Sequence, residues 1–211
     1  MVYQAKDYSK LMGMEGFSKK LLENHFKLYE GYVKNANKCL KRLDQLLNEG
    51  ETENIEFSEI KRRLSFELNG IKLHEYYFEN MVKDGVEIDK RSGFYKKLVE
   101  EFGSYEKWRK SFTGVAQMRG VGWAVAIYDP SADLIFNTWV EEHHIGHVVG
   151  CFPILVLDLW EHAMLLDYGS DRPSYIDAFF KVIDWSCVAQ RFESALLVEE
   201  SGVLIADFQK S

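Results

Sequence analysis

The N-terminal part of the chain carries its apolar and aromatic side chains at helical spacing. Between residues 14 and 48 they recur every three or four positions, which places them on one face of a predicted helix: Leu21, Leu22, His25, Leu28, Tyr29, Tyr32 and Val33. The polar, glycine-containing segment 49–55 predicts a loop. A second helical pattern covers residues 57–81, where Asn69-Gly70 is expected to bend or interrupt it, because glycine costs about 1 kcal/mol relative to alanine inside a helix.

Beyond residue 93 the periodicity changes from helical to extended. The charged, turn-rich segment 83–93 predicts a linker. After it we expect two short helices, with Ser104 as N-cap of the second, then three strands, then two helices, over residues 93–103, 104–117, 121–129, 133–140, 152–158, 160–168 and 173–196. Residues 130–132 (PSA) predict a turn between the first two strands, which makes them antiparallel.

These patterns predict an α+β fold in two domains. The N-terminal domain, residues 1–88, is an α-hairpin; the C-terminal domain, residues 89–211, is an α/β domain with a three-stranded antiparallel sheet. A chain of 211 residues is long enough to give such an arrangement a sizeable core.

The composition argues against two classes of binding partner, nucleic acids and membranes. The net charge of −7 argues against nucleic acid, because binding phosphates requires clustered Lys and Arg. No stretch approaches the roughly 20 apolar residues that span a bilayer, and the N-terminus lacks the apolar region of a signal peptide. The cysteines, Cys39, Cys151 and Cys187, are odd in number and far apart, which predicts buried thiols in a reducing compartment. We therefore expect a cytoplasmic protein without a nucleic-acid or membrane partner.

Histidines supply the candidate chemistry. His25 and His74 each lie among apolar residues of a predicted helix, where a hydrogen-bonded core histidine is the commoner outcome. His162 differs because Asp158, at the end of an apolar strand, lies four positions before it. If the chain turns into a helix there, both side chains can point at one ion, and imidazole with carboxylate suits iron, manganese or zinc. A structural Asp–His hydrogen bond is an equally good interpretation of that segment alone.

A second group of histidines, His143, His144 and His147, lies within five residues. Such a run can bind a metal on the surface or lie in a solvated loop. Gly146 argues against a regular helix there.

Four separated motifs resemble the iron/manganese superoxide dismutase family. They are ENHFKLYEGYVKNAN (23–37), NGIKLHEYYFENM (69–81), EFGSYEKWRKSFTGVAQMRGVGWAVAIYD (101–129), and DLWEHA (158–163) followed by LLDYGSDRPSYIDAFFKVIDW. They occur in the family's order and cover the chain from about residue 15 to residue 195. The resemblance implies a superoxide dismutase that uses one Fe or Mn ion per subunit, and a homodimer or tetramer.

The resemblance also implies roles for individual residues. His25, His74, Asp158 and His162 would bind the metal. Tyr32 would guard the substrate channel, and His143, or alternatively His144, would tune the metal from outside its ligand shell. Trp123 and Trp160 would wall the pocket, Glu161 would reach a metal-ligand histidine of the partner subunit, and Arg172 would give buried polar support.

The first motif departs from the family pattern. Alignment on Tyr32 without a gap puts Asn24 at the ligand position; His25 becomes the ligand if the spacing is one residue shorter, which keeps it on the same helix face as Tyr32. The family's second histidine of this helix falls at Lys27 or Leu28, and the tyrosine expected after DLWEHA falls at Leu165, beside Met164. These replacements remove the family's usual hydrogen-bond chain across the dimer interface.

Two other functions remain open from the sequence. A protein of the same fold could keep a metal as a structural element and lack activity, and a zinc hydrolase would use the same ligands with an ion that cannot change oxidation state. The identity of the ligands does not indicate whether the metal is iron or manganese. Because the chain is acidic, attraction of an anionic substrate must come from local positive charge, for which Lys27 and Lys34 are candidates.

Overall fold

Two long antiparallel helices form the N-terminal half of the computed structural model, which describes residues 2–200. Helix α1 spans Lys19–Glu49 and helix α2 spans Ile55–Glu79. The Ser18 side chain caps α1, and Gly50 ends it in the left-handed conformation. The start at Lys19 lies later than the predicted residue 14. The predicted interruption at Asn69-Gly70 is wrong, because α2 is continuous there.

The second half combines helices with one small sheet. Its elements are α3 (Gly93–Phe102), α4 (Tyr105–Ala116), β1 (Gly122–Asp129), β2 (Leu134–Glu141), β3 (Phe152–Asp158), α5 (Glu161–Tyr168), α6 (Arg172–Lys181) and α7 (Trp185–Glu200). The strands are antiparallel in the order β2-β1-β3. This arrangement confirms the predicted α+β fold with its N-terminal hairpin and three-stranded sheet.

The predicted single helix over residues 173–196 is wrong. Helices α6 and α7 are separated between Lys181 and Trp185, where the chain pairs with the end of the hairpin. Ile183 forms a bridge to Met81, and Asp184 forms one to Val86. Neither glycine nor proline occurs at this break; the Asp184 carboxylate accepts hydrogen bonds from the first turn of α7 instead.

The same pairing holds the start of the segment predicted to be a linker. Segment 83–93 contains no helix before α3 begins at Gly93. Val82 N donates to Val182 O at 2.9 Å, and Val86 N donates to Ile183 O at 2.9 Å. The connection between the two halves is therefore held against the α6–α7 junction.

The core runs from the hairpin into the sheet. Strand β1 is buried along seven of its eight residues, as expected of a central strand covered on both faces. Strand β3 packs against α2, which brings its last residue, Asp158, to the hairpin. Within residues 2–200 no helix is both long and apolar enough to cross a membrane. The three cysteines are free and half-buried, less buried than the sequence predicted.

Candidate metal centre

Four side chains from both halves of the protein converge at the end of β3. His25 lies on α1, His74 on α2, Asp158 at the end of β3 and His162 in the first turn of α5. One ligand atom from each lies within 4.8 Å of all the others. The side chains of His25, His74 and Asp158 are fully buried, and that of His162 is 17% exposed. Four potential ligands therefore surround one point inside the protein.

Asp158 is held by the chain reversal that follows it. Its Oδ1 accepts a hydrogen bond from Trp160 N at 2.8 Å. Its Oδ2 lies 3.1 Å from His25 Nε2 and 3.2 Å from His162 Nε2. Burial by itself raises the pKa of this carboxyl, but the neighbouring His162 and His25 imidazoles outweigh it and hold the pKa well below its usual range. The carboxylate is therefore charged.

His74 presents a free lone pair to the cluster. Its Nδ1 lies 2.6 Å from Gly70 O, and because a carbonyl can only accept, Nδ1 carries the proton. In the neutral ring Nε2 is then unprotonated, and it lies 3.4 Å from His162 Nε2 and 3.6 Å from Asp158 Oδ2. Burial lowers the pKa of His74 well below its usual value. A lone pair aimed at a carboxylate is repulsive unless a cation lies between them, so the donor set fits a metal ion.

The structure separates the two candidates in the first helix. Asn24 is exposed, whereas His25 is completely buried with Nε2 in the cluster. Burial lowers the pKa of His25, because charge is disfavoured in the interior. Its Nδ1 is buried without a hydrogen-bond partner among residues 2–200. The one-residue shorter spacing before Tyr32 is the arrangement that brings a histidine to the site.

A hydrogen-bonded chain runs beside the cluster through Tyr32, His143 and Trp123. His143 is fully buried; its Nε2 lies 2.7 Å from the Tyr32 hydroxyl, and its Nδ1 accepts from Trp123 Nε1 at 3.1 Å. An indole N–H can only donate, so in neutral His143 the proton is on Nε2 and is donated to the Tyr32 oxygen. The Tyr32 proton is thereby left free to point elsewhere. Burial lowers the pKa of His143 to about 4 and raises the pKa of Tyr32 above its ordinary value.

The other two histidines of that run lie away from Tyr32. His144 is half-buried, with Nδ1 3.8 Å from a Glu142 carboxylate oxygen. His147 is exposed, and its Nε2 donates to the His143 carbonyl at 2.9 Å. The segment is not helical, as Gly146 predicted.

Aromatic rings enclose the site. The Trp160 ring stacks on His143 at 4.6 Å between centroids, and the buried Trp123 ring meets His74 at 5.0 Å. Sequence reasoning missed Phe66, whose ring lies 4.5 Å from His143 and 6.1 Å from Tyr32. The sequence did indicate that Phe66 could lie near the site, because Phe66 is eight positions before His74 and on the same side of the predicted helix.

Gly70 lets the two helices approach at this point. A Cβ atom on Gly70 would lie 2.8 Å from Cδ1 and 2.9 Å from Cγ of the Tyr32 ring. Only glycine therefore leaves room for this position of Tyr32.

The chain matches two family models. The model for the alpha-hairpin domain of iron/manganese superoxide dismutases matches residues 11–82, and the model for their C-terminal domain matches residues 90–191. The chain belongs to the iron/manganese superoxide dismutase family. Among curated relatives, a superoxide dismutase [Fe] of Pyrobaculum aerophilum is 37% identical over 82% of each chain. A superoxide dismutase [Mn/Fe] of Aeropyrum pernix is 35% identical over 82% of this chain and 81% of its own, and a superoxide dismutase [Fe] of Aquifex pyrophilus is 33% identical over 98% and 97%.

Two further residues that the family resemblance singled out lie near the surface. The side chain of Glu161 is exposed and makes no hydrogen bond or ion pair among the side chains that the structure describes. Arg172 is half-buried rather than buried, and its guanidinium donates to the carbonyls of Met118, Gly120 and Leu159. Arg172 therefore ties the loop before β1 to the chain that follows β3.

The residues that replace members of the family's usual hydrogen-bond chain can be located in the structure. Leu165, where a tyrosine was expected, is 55% exposed, and Met164 beside it is buried. Lys27, one of the two candidates for the position of the second histidine, is exposed. In the part of the chain that the structure describes, none of the three has a polar contact with the cluster.

Proposed function

We propose that this protein is a superoxide dismutase that uses one iron or manganese ion bound by His25, His74, Asp158 and His162. The observation that carries the proposal is the convergence of three imidazoles and a charged carboxylate on one point, in the fold of a family of iron and manganese enzymes. When bound, the ion supplies one-electron chemistry: one superoxide is oxidised to O2, and a second is reduced, with two protons, to H2O2.

The ligand set gives the protein control of charge at this centre. As metal ligands the three imidazoles are neutral, so with one carboxylate they contribute a single negative charge, and burial already lowers the pKa of His25 and of His74. Gly70 O fixes the tautomer of His74, and Trp160 N orients Asp158, so the ligands are positioned before any ion arrives.

Tyr32 and His143 are proposed to handle protons and adjust the centre. His143 donates to the Tyr32 oxygen, which leaves the Tyr32 hydroxyl hydrogen available to a group in the channel. A neutral, buried His143 holds this orientation over the physiological pH range. Trp123 Nε1 donates a hydrogen bond to His143 Nδ1, and the Trp160 ring stacks on the His143 ring, so both tryptophans hold His143 in place.

Reconstitution with single metals tests the proposal. The metal-free protein is loaded separately with iron, manganese and zinc, and superoxide decay is followed at matched metal content. We expect activity with iron, manganese or both, none with zinc, and loss of metal binding in Asp158→Asn. Bound iron and manganese without any acceleration would overturn the proposal in favour of a structural metal protein of the same fold.

We further propose that the active form is a homodimer, or a tetramer built from such dimers. Glu161 and Nδ1 of His162 both lack a partner among residues 2–200, and they adjoin on the first turn of α5. Glu161 can therefore pair with the partner's His162. Sedimentation velocity on Glu161→Gln should show a shift toward monomer. Glu59→Gln, which also removes an exposed carboxylate, should leave the association unchanged, and equal behaviour of the two would reject the assignment.

The proposal includes a domain boundary and a location. The boundary between residues 88 and 89 is supported by the lack of helix from residue 80 to residue 92. A cytoplasmic, antioxidant role is supported by three cysteines that form no disulfide. Cell fractionation with an antibody to this chain tests the location; recovery outside the cytoplasm would reject it.

A further inference from the structure

Partly exposed side chains mark the solvent-facing side of the ligand cluster. His25, His74 and Asp158 are fully buried, whereas Phe66 and Trp160 are half-buried and the His162 side chain is 17% exposed. A substrate therefore approaches past the rings of Phe66, Tyr32 and Trp160, which we call the opening.

The charges around the opening are unfavourable to an anion. The chain has a net charge of −7. The side chain of Glu142, whose carbonyl lies 3.3 Å from Trp160 Nε1, is 45% exposed. Unless a cation offsets this carboxylate and the net charge, the field at the opening repels superoxide.

Arg63 places a cation at this opening. Its guanidinium carbon lies 4.3 Å from the centroid of the Phe66 ring, whose centroid is in turn 4.5 Å from that of His143. The charge is therefore closer to His143 than the roughly 10 Å Debye length of 0.1 M salt. Of the cation–ring contacts within residues 2–200, this is the one made with a ring of the opening.

Glu67 holds the Arg63 guanidinium in this position. Arg63 Nε donates to Glu67 Oε1 at 2.6 Å. The Glu67 side chain is 1% exposed, while that of Arg63 is 55% exposed. The pair is neutral as a whole, but its negative end is buried and its positive end faces solvent, so an approaching anion meets the positive end first.

We infer that Arg63 is a guiding residue that draws the anionic substrate to the opening; this inference rests on the proposed function. Lys34, a candidate from sequence, lines a groove with the N-terminal residues Tyr3, Gln4 and Ala5 instead. Lys27 is exposed and has no contact with a ring of the opening among the described residues. Arg63 acts before the chemical step and touches no ligand of the metal.

Matched charge variants test the inference. In the metal-loaded protein, Arg63→Gln should lower kcat/KM about twofold at low ionic strength, with kcat unchanged, because one unit charge near 9 Å in water has about that effect. Arg63→Lys should restore most of the loss. Glu67→Gln, which removes the opposing charge, should raise kcat/KM. These differences should vanish at high salt, since screening then shortens the reach of each charge.

Arg62→Gln is the control, because it makes the same change of net charge at the neighbouring residue, whose side chain is 79% exposed. An equal effect of Arg62→Gln and Arg63→Gln, or a loss in Arg63→Gln that persists at high salt, would overturn the inference. Optical titration of the metal with azide gives a second readout: Arg63→Gln should raise the dissociation constant about twofold. If the wild-type protein lacks activity, the proposed function fails, and the azide titration alone decides whether Arg63 attracts anions.

Discussion

At the residue scale, Gly70 has the most constrained position near the site. The ring of Tyr32 occupies the space that a Cβ would need, and the Gly70 carbonyl fixes the tautomer of His74. A side chain at this position must push Tyr32, and with it the hydrogen bond to His143, out of place.

Gly70→Ala is therefore expected to destabilise the protein by about 1–3 kcal/mol, the usual cost of overpacking. Gly31→Ala is the matched control, because Gly31 also lies in a helix and a Cβ there would meet no atom within 4 Å. The control should be stabilised by about 0.5–1 kcal/mol. Urea unfolding of both variants measures the difference, and equal changes would show that the Tyr32 contact does not limit residue 70.

His143 gives a second residue-scale prediction, in pH. Its pKa is about 4 in the folded protein and about 6.5 in an unfolded chain. Between these values the unfolded chain binds a proton that the folded protein does not, so this residue lowers stability as pH falls from 6.5 to 4. The effect on the free energy of unfolding is at most about 1.4 kcal/mol per pH unit.

His143→Gln should remove this contribution. Urea unfolding of the metal-free wild type and variant is compared between pH 4.5 and 7.5, and we expect the stability of the variant to depend less steeply on pH. Parallel curves would mean that His143 binds a proton equally well in the folded and the unfolded state, and would reject the lowered pKa.

At the scale of elements, the break between α6 and α7 shows where the sequence pattern misleads. The apolar periodicity continues through residues 182–184, so the sequence predicts one helix. The break arises from pairing with residues 81–86, a contact distant in sequence that no local pattern reports. Asp184 is the one residue whose type is consistent with a break here, because aspartate often caps a helix. Aspartate also occurs on helix surfaces, however, so Asp184 alone does not predict a break.

Asp184→Ala should cost about 1 kcal/mol, because Asp184 Oδ1 accepts from Ser186 N at 3.1 Å and Cys187 N at 3.2 Å at the start of α7. For a protein of this size that lowers the midpoint of thermal unfolding by roughly 2–4 °C. Asp184→Asn retains a capping oxygen and should lose less than half as much. A midpoint unchanged in Asp184→Ala would show that the bridges alone hold the junction.

Most of the site was predictable because its chemistry depends on residue type and spacing. Asp158 and His162 follow an apolar strand at four-residue spacing, and the chain does turn from β3 into α5 there. The position of Phe66 and Arg63 beside His143 was not predicted, because helical spacing relates Phe66 to His74 but does not show which distant loop lies against α2. The sequence favours His25 over Asn24 because His25 shares a helix face with Tyr32, and the rotation of α1 about its axis does bring His25 to the cluster.

At the scale of the whole molecule, the ligands join the two halves. His25 and His74 belong to the hairpin and Asp158 and His162 to the second half, so a bound ion favours the folded state over any state in which the halves separate. Chelation of the metal is expected to lower the midpoint of thermal unfolding. The decrease should be much smaller in Asp158→Asn, where metal binding is already impaired. Calorimetry with and without chelator measures both, and an equal decrease in the two proteins would place the stabilising ion elsewhere.

The separation of the ligands along the chain also has a consequence for biosynthesis. His25 and Asp158 are 133 residues apart, and the hairpin can fold while the second half is still being synthesised. Until Asp158 and His162 emerge from the ribosome, the chain offers two imidazoles and no carboxylate to this point. The complete set of ligands thus exists only after residue 162 has emerged, and the identity of the ion then depends on which metals are available around the chain at that stage.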